Sequence, residues 1–240
     1  MPQAAHDPIL RLGRDPDDRA AWAALVERHS GRCWVVALRL LRDRDAAADA
    51  VQDTLLALRT AARGFRPGPD AAASADAWVA RIAVNICLKQ RRRRTPGPLP
   101  TDLPAPPPPA TDDELLPVLH AALADLPTTQ REAIGLRYLA GLDNDAVAQA
   151  QGIAPGAARV RIHRALVALR EGFLRRGVAM SAPALLADLD ALATRTVPPP
   201  PSAMIASWSA AALPTIAALS SGALIAMSII ACALVGAVVV

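Results

Sequence analysis

An all-α protein is what this sequence predicts, on three observations. Apolar residues recur at three- and four-residue intervals through long Ala/Leu/Arg-rich stretches. No run alternates apolar and polar residues in the period-two pattern of a half-buried strand. Glycine and proline gather between the periodic stretches and punctuate them. At 240 residues the chain has room for one or two domains.

The hydrophobic fraction of 52% is unevenly spread, because no charged side chain occurs from Thr196 to Val240. The first 195 residues therefore form an ordinary, basic, soluble body. A net charge of +4 suits a polyanionic partner without naming one. Cys33, Cys87 and Cys232 are far apart, with no CxxC and no Cys/His cluster. They imply neither a metal site nor a disulfide framework, and a reducing compartment is expected. The N-terminus, MPQAAHDPILRLGRDPDD, is too polar and charged for a secretory signal.

Four helices are expected between residues 8 and 94. The first covers about Asp17–Ser30, with Trp22, Leu25 and Val26 turned inward, and the second about Cys33–Leu41. The third, Asp45–Ala62, places Ala47, Val51, Thr54/Leu55 and Leu58 at helical intervals. Gly64, Pro67, Gly68 and Pro69 then break the chain. The fourth helix runs Ser74–Arg93, with Ser74 as N-cap and Trp78, Ile82 and Ile86 as its core stripe. Eight prolines between Pro96 and Pro109 make the next stretch an extended, stiff spacer.

A second unit follows. Its first helix ends at Leu126-Pro127, and the next opens with Thr129-Gln-Arg-Glu132, a capping-box pattern. That helix carries Ile134, Leu136 and Leu139 to the core and stops at Gly141. The stretch AVAQAQGIAPGAARVRIHRALVALR (146–170) is then a helix-turn-helix. Its short first helix, about Asn144–Gln151, ends on Gly152, a residue suited to the left-handed stop. Pro155 begins the second helix, where its missing N–H costs nothing. Ala158, Ile162, Ala165 and Leu169 form the inward stripe, leaving Arg159, Arg161, His163 and Arg164 off it. A helix presented this way fits the DNA major groove, with its cations on flanking phosphates.

Two constellations in the first unit carry further information. Asp49, Gln52 and Asp53 make a polar patch beside the apolar stripe of the third helix, which by itself equally describes a solvated face. On the fourth helix Arg81, Asn85 and Arg92 share one face, and Lys89 with Arg91–Arg94 puts five cations in six residues. That exceeds what the helix dipole needs and points to nucleic acid. Asn85 is suited to a base edge. No nucleophile–base pair, carboxylate dyad or phosphate-cradling glycine loop appears, and the four histidines are scattered. The expectation is a binding protein with no cofactor, not an enzyme.

In this order the pieces ADAVQDTLLAL, AWVARIAVNICLKQRRRR, a linker, LHAALADLPTTQREAIGLRYLAGL and the helix-turn-helix resemble the extracytoplasmic-function (ECF) sigma factors of bacterial RNA polymerase, over about residues 17–175. The resemblance implies that Asp49, Gln52 and Asp53 dock on the polymerase clamp helices. It implies that Asn85, Lys89, Arg91 and Arg92, with Arg81 on the same face, engage the −10 element and the melted strand. The 64–74 loop would capture a flipped base, and the linker would thread toward the active-site cleft. Gly156, Ala157, Arg159, Val160, Arg161, His163 and Arg164 would sit on the −35 element. The implied partners are core RNA polymerase and promoter DNA, both duplex and melted; an anti-sigma factor is allowed by the resemblance, and no residue shows one.

The chain departs from the family pattern at three places. An aromatic is usual where Leu55 stands, Glu-Ile-Ala is usual at Ala146-Val147-Ala148, and Gly-Thr-Val is usual at Gly156-Ala157-Ala158. Few donors then face the base edges, which favours weak or shape-based reading of the −35 element.

Met204 to Val240 is apolar or small, with Pro214 its one strong break. Thr215–Val240 suffices to span a bilayer core of about 30 Å, which takes about 20 residues, and the basic body predicts a cytoplasmic N-terminal side. The expected organisation is a region-2-like domain at 8–94, a Pro-rich linker at 95–112, and a region-4-like helix-turn-helix domain at 113–177. A second linker at 178–203 and a transmembrane segment at 204–240, tethering the body to the inner membrane, complete it. Two other readings stay open: a membrane-anchored regulator acting without polymerase, and a degenerate interaction or decoy protein.

Overall fold

Aspartates start all four helices of the first unit. In the computed structural model, which describes residues 7–68, 70–94, 112–194 and 196–210, Asp7 accepts from Ile9 N and Leu10 N and opens α1 (Pro8–Arg14). Asp18 accepts from Ala21 N and opens α2 (Arg19–Leu41). Asp43 accepts from Ala46 N at 2.7 Å and opens α3 (Arg44–Ala61). Each side chain satisfies an amide that the helix leaves orphaned. Asp18 also receives Arg11, and its carboxyl lies below the usual range, first because of the Ala21 amide and also because of that guanidinium.

α2 is one helix where the sequence pattern predicts two. Gly31 does not break it, because a mid-helix glycine costs only about 1 kcal/mol and the flanking turns bury His29, Ser30, Cys33 and Trp34. α2 ends at Arg42, which is left-handed with φ 52°. α1 is an addition to the expected elements, sealed by Ile9 and Leu12. Gly13 of α1 lies so close to the turn after α3 that a Cβ would sit 2.9 Å from Ala62 O.

α4 (Ala71–Arg94) starts earlier than expected, since Asp70 caps it through Ala73 N. Ser74 is therefore inside the helix, its hydroxyl donating to Asp70 O and accepting from Gly68 N. Of the expected stripe Ile82 is buried, while Trp78 and Ile86 are half-buried against the core, and the burial extends to Ala75, Val79, Ala83, Val84 and Cys87. α4 is packed from more than one side, by α2, α3 and the second unit. By length and composition it is the described helix that could cross a membrane, yet half of that stretch is buried inside the fold, as a core helix is.

The second unit comprises α5 (Asp112–Asp125), α6 (Thr128–Ile134), a π turn (Gly135–Leu139), α7 (Asn144–Gln151) and α8 (Pro155–Leu174). Arg131 donates to Leu123 O, Ala124 O and Leu126 O and so closes the carbonyl end of α5. Gly172 of α8 lies against Ala122 of α5, where an added Cβ would be 3.0 Å from the alanine methyl. Asp143 caps α7, Gly152 ends it at φ 65°, and Pro155 opens α8. Ala158, Ile162, Ala165 and Leu169 are all buried, as their spacing predicts.

The capping box expected at Thr129–Glu132 does not form. Pro127 precedes the first residue of α6, no side chain caps it, and the Glu132 carboxylate is used elsewhere.

Beyond α8 the chain turns back over the molecule. α9 (Ala182–Thr194) buries Leu185 and Leu189 near the π turn. α10 (Ser202–Ala210) lies on α2. Trp22 donates its indole N–H to Trp208 O at 3.1 Å, Trp34 donates to Pro198 O at 2.9 Å, and the Trp34 and Trp208 rings are 6.4 Å apart. Residues 204–210 of the expected membrane segment thus lie in α10 on the first unit, and residues 211–240 lie outside the described residues.

Candidate polymerase and nucleic-acid interfaces

The side chains of Asp49, Gln52 and Asp53 are all exposed on α3. They lie on its outer surface because Ala47, Ala50, Val51 and Thr54 take the inner one. Asp53 accepts from Gln90 of α4 at 3.0 Å, which fixes its carboxylate at the patch edge. The patch is thus acidic, solvent-facing and built on a rigid core helix.

The basic face of α4 divides in two. Lys89 and Arg92 are exposed, and Arg91 is half-buried. Arg81 and Asn85 are also half-buried, and they face the second unit rather than open solvent. Arg81 Nε and Asn85 Nδ2 both donate to Glu132 Oε1 at 2.7 Å, and Arg81 donates again to Ala150 O at 3.0 Å. Glu132 itself is 5% exposed. Its second oxygen accepts from Gln151 Nε2 at 2.9 Å, and Gln151 Oε1 accepts from Arg161 at 2.8 Å. One unbroken hydrogen-bonded chain therefore joins Arg161 on α8 to Arg81 and Asn85 on α4. The second unit also touches the edge of the loop before α4, where Gln149 of α7 donates to the Ser74 hydroxyl beside Gly68, while Gly64, Arg66, Pro67 and Asp70 stay exposed.

On α8 the geometry follows from 100° per residue. Gly156, Val160 and His163 project opposite the buried stripe, and all are exposed. Arg159 and Arg164 flank them, roughly 140° apart around the axis, and are exposed too. Ala157 is exposed; Arg161 is half-buried, turned toward Gln151. An open cleft of about 470 Å³ lies between the start of α6 and this face, lined by Thr129, Gln130, Gly156, Val160, Arg161 and Arg164 among others. Thr129 and Gln130, read from the sequence only as part of a helix start, are polar groups of this cleft that the linear pattern does not bring to α8, about thirty residues on in sequence. Among the described residues no group of three or more His, Cys, Asp or Glu could hold a metal ion.

A helix-turn-helix with a cation-flanked outer face, on the same chain as a core helix with an acidic face, has the form of a DNA-binding protein with a second, separate docking surface. Comparison with known proteins narrows the class. The family description "Sigma-70 region 2" matches residues 25–96, and "Sigma-70, region 4" matches residues 117–169. ECF RNA polymerase sigma factor SigL of Mycobacterium tuberculosis is 34% identical over 173 residues, covering 67% of this chain and 93% of that protein. SigE of Mycolicibacterium smegmatis, also named an ECF RNA polymerase sigma factor, is 30% identical over 167 residues. That match covers 64% of this chain and 63% of SigE. RNA polymerase sigma factor CarQ of Myxococcus xanthus is 31% identical over 157 residues, 63% of this chain and 88% of CarQ. The solved structure of CnrH in complex with the cytosolic domain of CnrY is similar over 69% of this chain and 96% of that one, at 25% identity and a TM-score of 0.43. The chain belongs to the ECF group of RNA polymerase sigma factors, regulators that direct polymerase to promoters.

Proposed function

We propose that the chain engages core RNA polymerase through Asp49, Gln52 and Asp53. It then opens the −10 element with Arg81, Asn85, Lys89, Arg91 and Arg92 and reads the −35 element with α8 from Gly156 to Arg164. The observation that carries this reading is the separation of the surfaces. The acidic trio is exposed on α3, and the Arg159–Arg164 face is exposed on α8, opposite its buried stripe. The chain makes no bond itself; polymerase does the chemistry, and this subunit chooses where. The residues after Ala210 serve as a membrane tether that keeps the body on the cytoplasmic side.

The test uses promoter fragments captured by the complex of core polymerase with the full chain. Footprinting should show two protected elements. Asn85→Ala should abolish permanganate reactivity of the opened strand while leaving −35 protection, and Arg159→Ala/Arg164→Ala should do the reverse. A footprint with one element, or with opening unaffected by Asn85→Ala, contradicts the assignment. Fractionation that leaves the full chain wholly in the soluble phase contradicts the tether.

A further inference from the structure

We propose that this chain masks its own −10-reading face: Glu132 of the helix-turn-helix unit occupies the donors of Arg81 and Asn85, and the α9–α10 segment clasps the two units in that arrangement. The inference rests on the assignment of Arg81 and Asn85 to the −10 element made above.

The masking is atom for atom. A base edge or phosphate would draw on the Asn85 amide and the Arg81 guanidinium as donors; Asn85 Nδ2 and Arg81 Nε both donate to one carboxylate oxygen at 2.7 Å, and Arg81 donates again to Ala150 O at 3.0 Å. A carboxylate offers the same acceptor character and negative charge that a phosphate would bring. The 64–74 loop is touched only at its end, by Gln149 on Ser74, and Gly64, Arg66, Pro67 and Asp70 remain exposed. Sequence and packing agree that the contact is built. Glu132 forgoes the capping box that its spacing from Thr129 offers. Gly135 meets Val84 so closely that a Cβ would be 2.5 Å from Val84 Cγ1. Arg39 of α2 donates to Leu139 O of the π turn at 3.0 Å, tying the units at a third point.

The clasp closes the arrangement from behind. α9 sits at the π turn of the second unit, and α10 sits on α2 of the first. Three of the chain's four tryptophans serve that attachment, through Trp22, Trp34 and Trp208. The masking is selective: it takes Arg81 and Asn85, while Lys89 and Arg92 at the end of α4, the acidic trio on α3 and the outer face of α8 remain exposed. A closed chain therefore still offers its polymerase patch and its duplex-reading helix. Only capture of the opened strand waits on separation of the units, and residues 95–111 reach roughly 55 Å when extended, so they permit that separation.

The test uses the full chain in detergent with Cys232→Ser, spin-labelled at Glu27→Cys and Glu171→Cys, both exposed positions. Cys33 and Cys87 are buried and stay unlabelled. The variants Glu132→Gln, Gly135→Ala and Trp208→Ala are compared with the parent. The probes are fluorescein-labelled random 16-mers, single-stranded and duplex. Masking predicts a longer label-to-label distance in each variant and single-strand affinity at least fivefold above the parent, with duplex affinity changed less than twofold. Trp208→Ala carries most weight, since it touches neither Arg81 nor Asn85 and lies on an outer helix. If the distance stays constant in every folded variant, or opens while single-strand affinity stays at the parent's value, masking is overturned. If opened variants bind neither probe, the DNA-reading assignment itself is wrong, and masking falls with it.

Discussion

Arg159 and Arg164 should set the salt dependence of duplex binding, and Arg161 should contribute little to it. Both outer arginines are exposed and stand roughly 140° apart on α8, so they address the two phosphate walls of a major groove in which Gly156, Val160 and His163 would lie. Each phosphate contact adds about 0.9 to the slope of log K against log salt. Replacing both by alanine should therefore flatten that slope by about 1.8. Between 50 and 200 mM salt, the affinity lost by the parent should exceed that lost by the double variant by roughly twelvefold. Arg161 already donates to Gln151 Oε1 at 2.8 Å, and Arg161→Ala should change the slope by less than half a unit. The assay is fluorescence anisotropy with a labelled 25-base-pair duplex of arbitrary sequence at four salt concentrations. An unchanged slope for the double variant, or an Arg161→Ala slope as flat as that of the pair, refutes the placement of α8.

Three further outcomes are expected. Neutralising the acidic patch with Asp49→Asn/Asp53→Asn should weaken core polymerase binding about tenfold, from two exposed charge contacts of about 0.5–1 kcal/mol each; equal affinity in a native-gel titration counts against the docking face. His29 is buried, and desolvation lowers its pKa to about 4. The unfolded histidine titrates near 6.5, so below that pH the unfolded chain holds the extra proton. Stability should fall by roughly 3 kcal/mol from this residue between pH 6.5 and 4, and His29→Gln should flatten the curve; parallel urea-denaturation midpoints in the two proteins would contradict it. Burial pushes the Cys33 thiol up to about 12 and Cys87 higher still, so neither should react with a thiol reagent at pH 8 until denaturant is added. Mass spectrometry of modified peptides reads this directly.

Features governed by local chemistry were legible in the sequence. Gly152, Pro155 and the stripe Ala158–Ile162–Ala165–Leu169 each depend on neighbours within a turn or two, and each stands where its spacing predicts. The acidic trio on α3 is likewise exposed because its own helix periodicity exposes it. What escaped the sequence depends on contacts across the chain. α4 loses its simple stripe because a second unit packs on a face that an isolated four-helix domain would leave to solvent. Glu132 reads as a helix cap and functions as an ion partner, since Arg81 and Asn85 lie 51 and 47 residues away. Gly31 reads as a break and is spanned because tertiary burial outweighs its propensity cost. Residues 204–210 read as the start of a membrane segment, whereas Trp208 attaches α10 to α2. Its backbone acceptor role toward Trp22 has no signature in the sequence.

Run-off transcription with purified core polymerase and a genomic fragment library, with and without this chain, tests most directly whether two helical units confer promoter choice on the enzyme. Added chain should produce new start sites that share two sequence elements at a constant spacing, and Asp49→Asn/Asp53→Asn should remove them. Transcripts identical with and without the chain, under conditions where it binds polymerase, would contradict it.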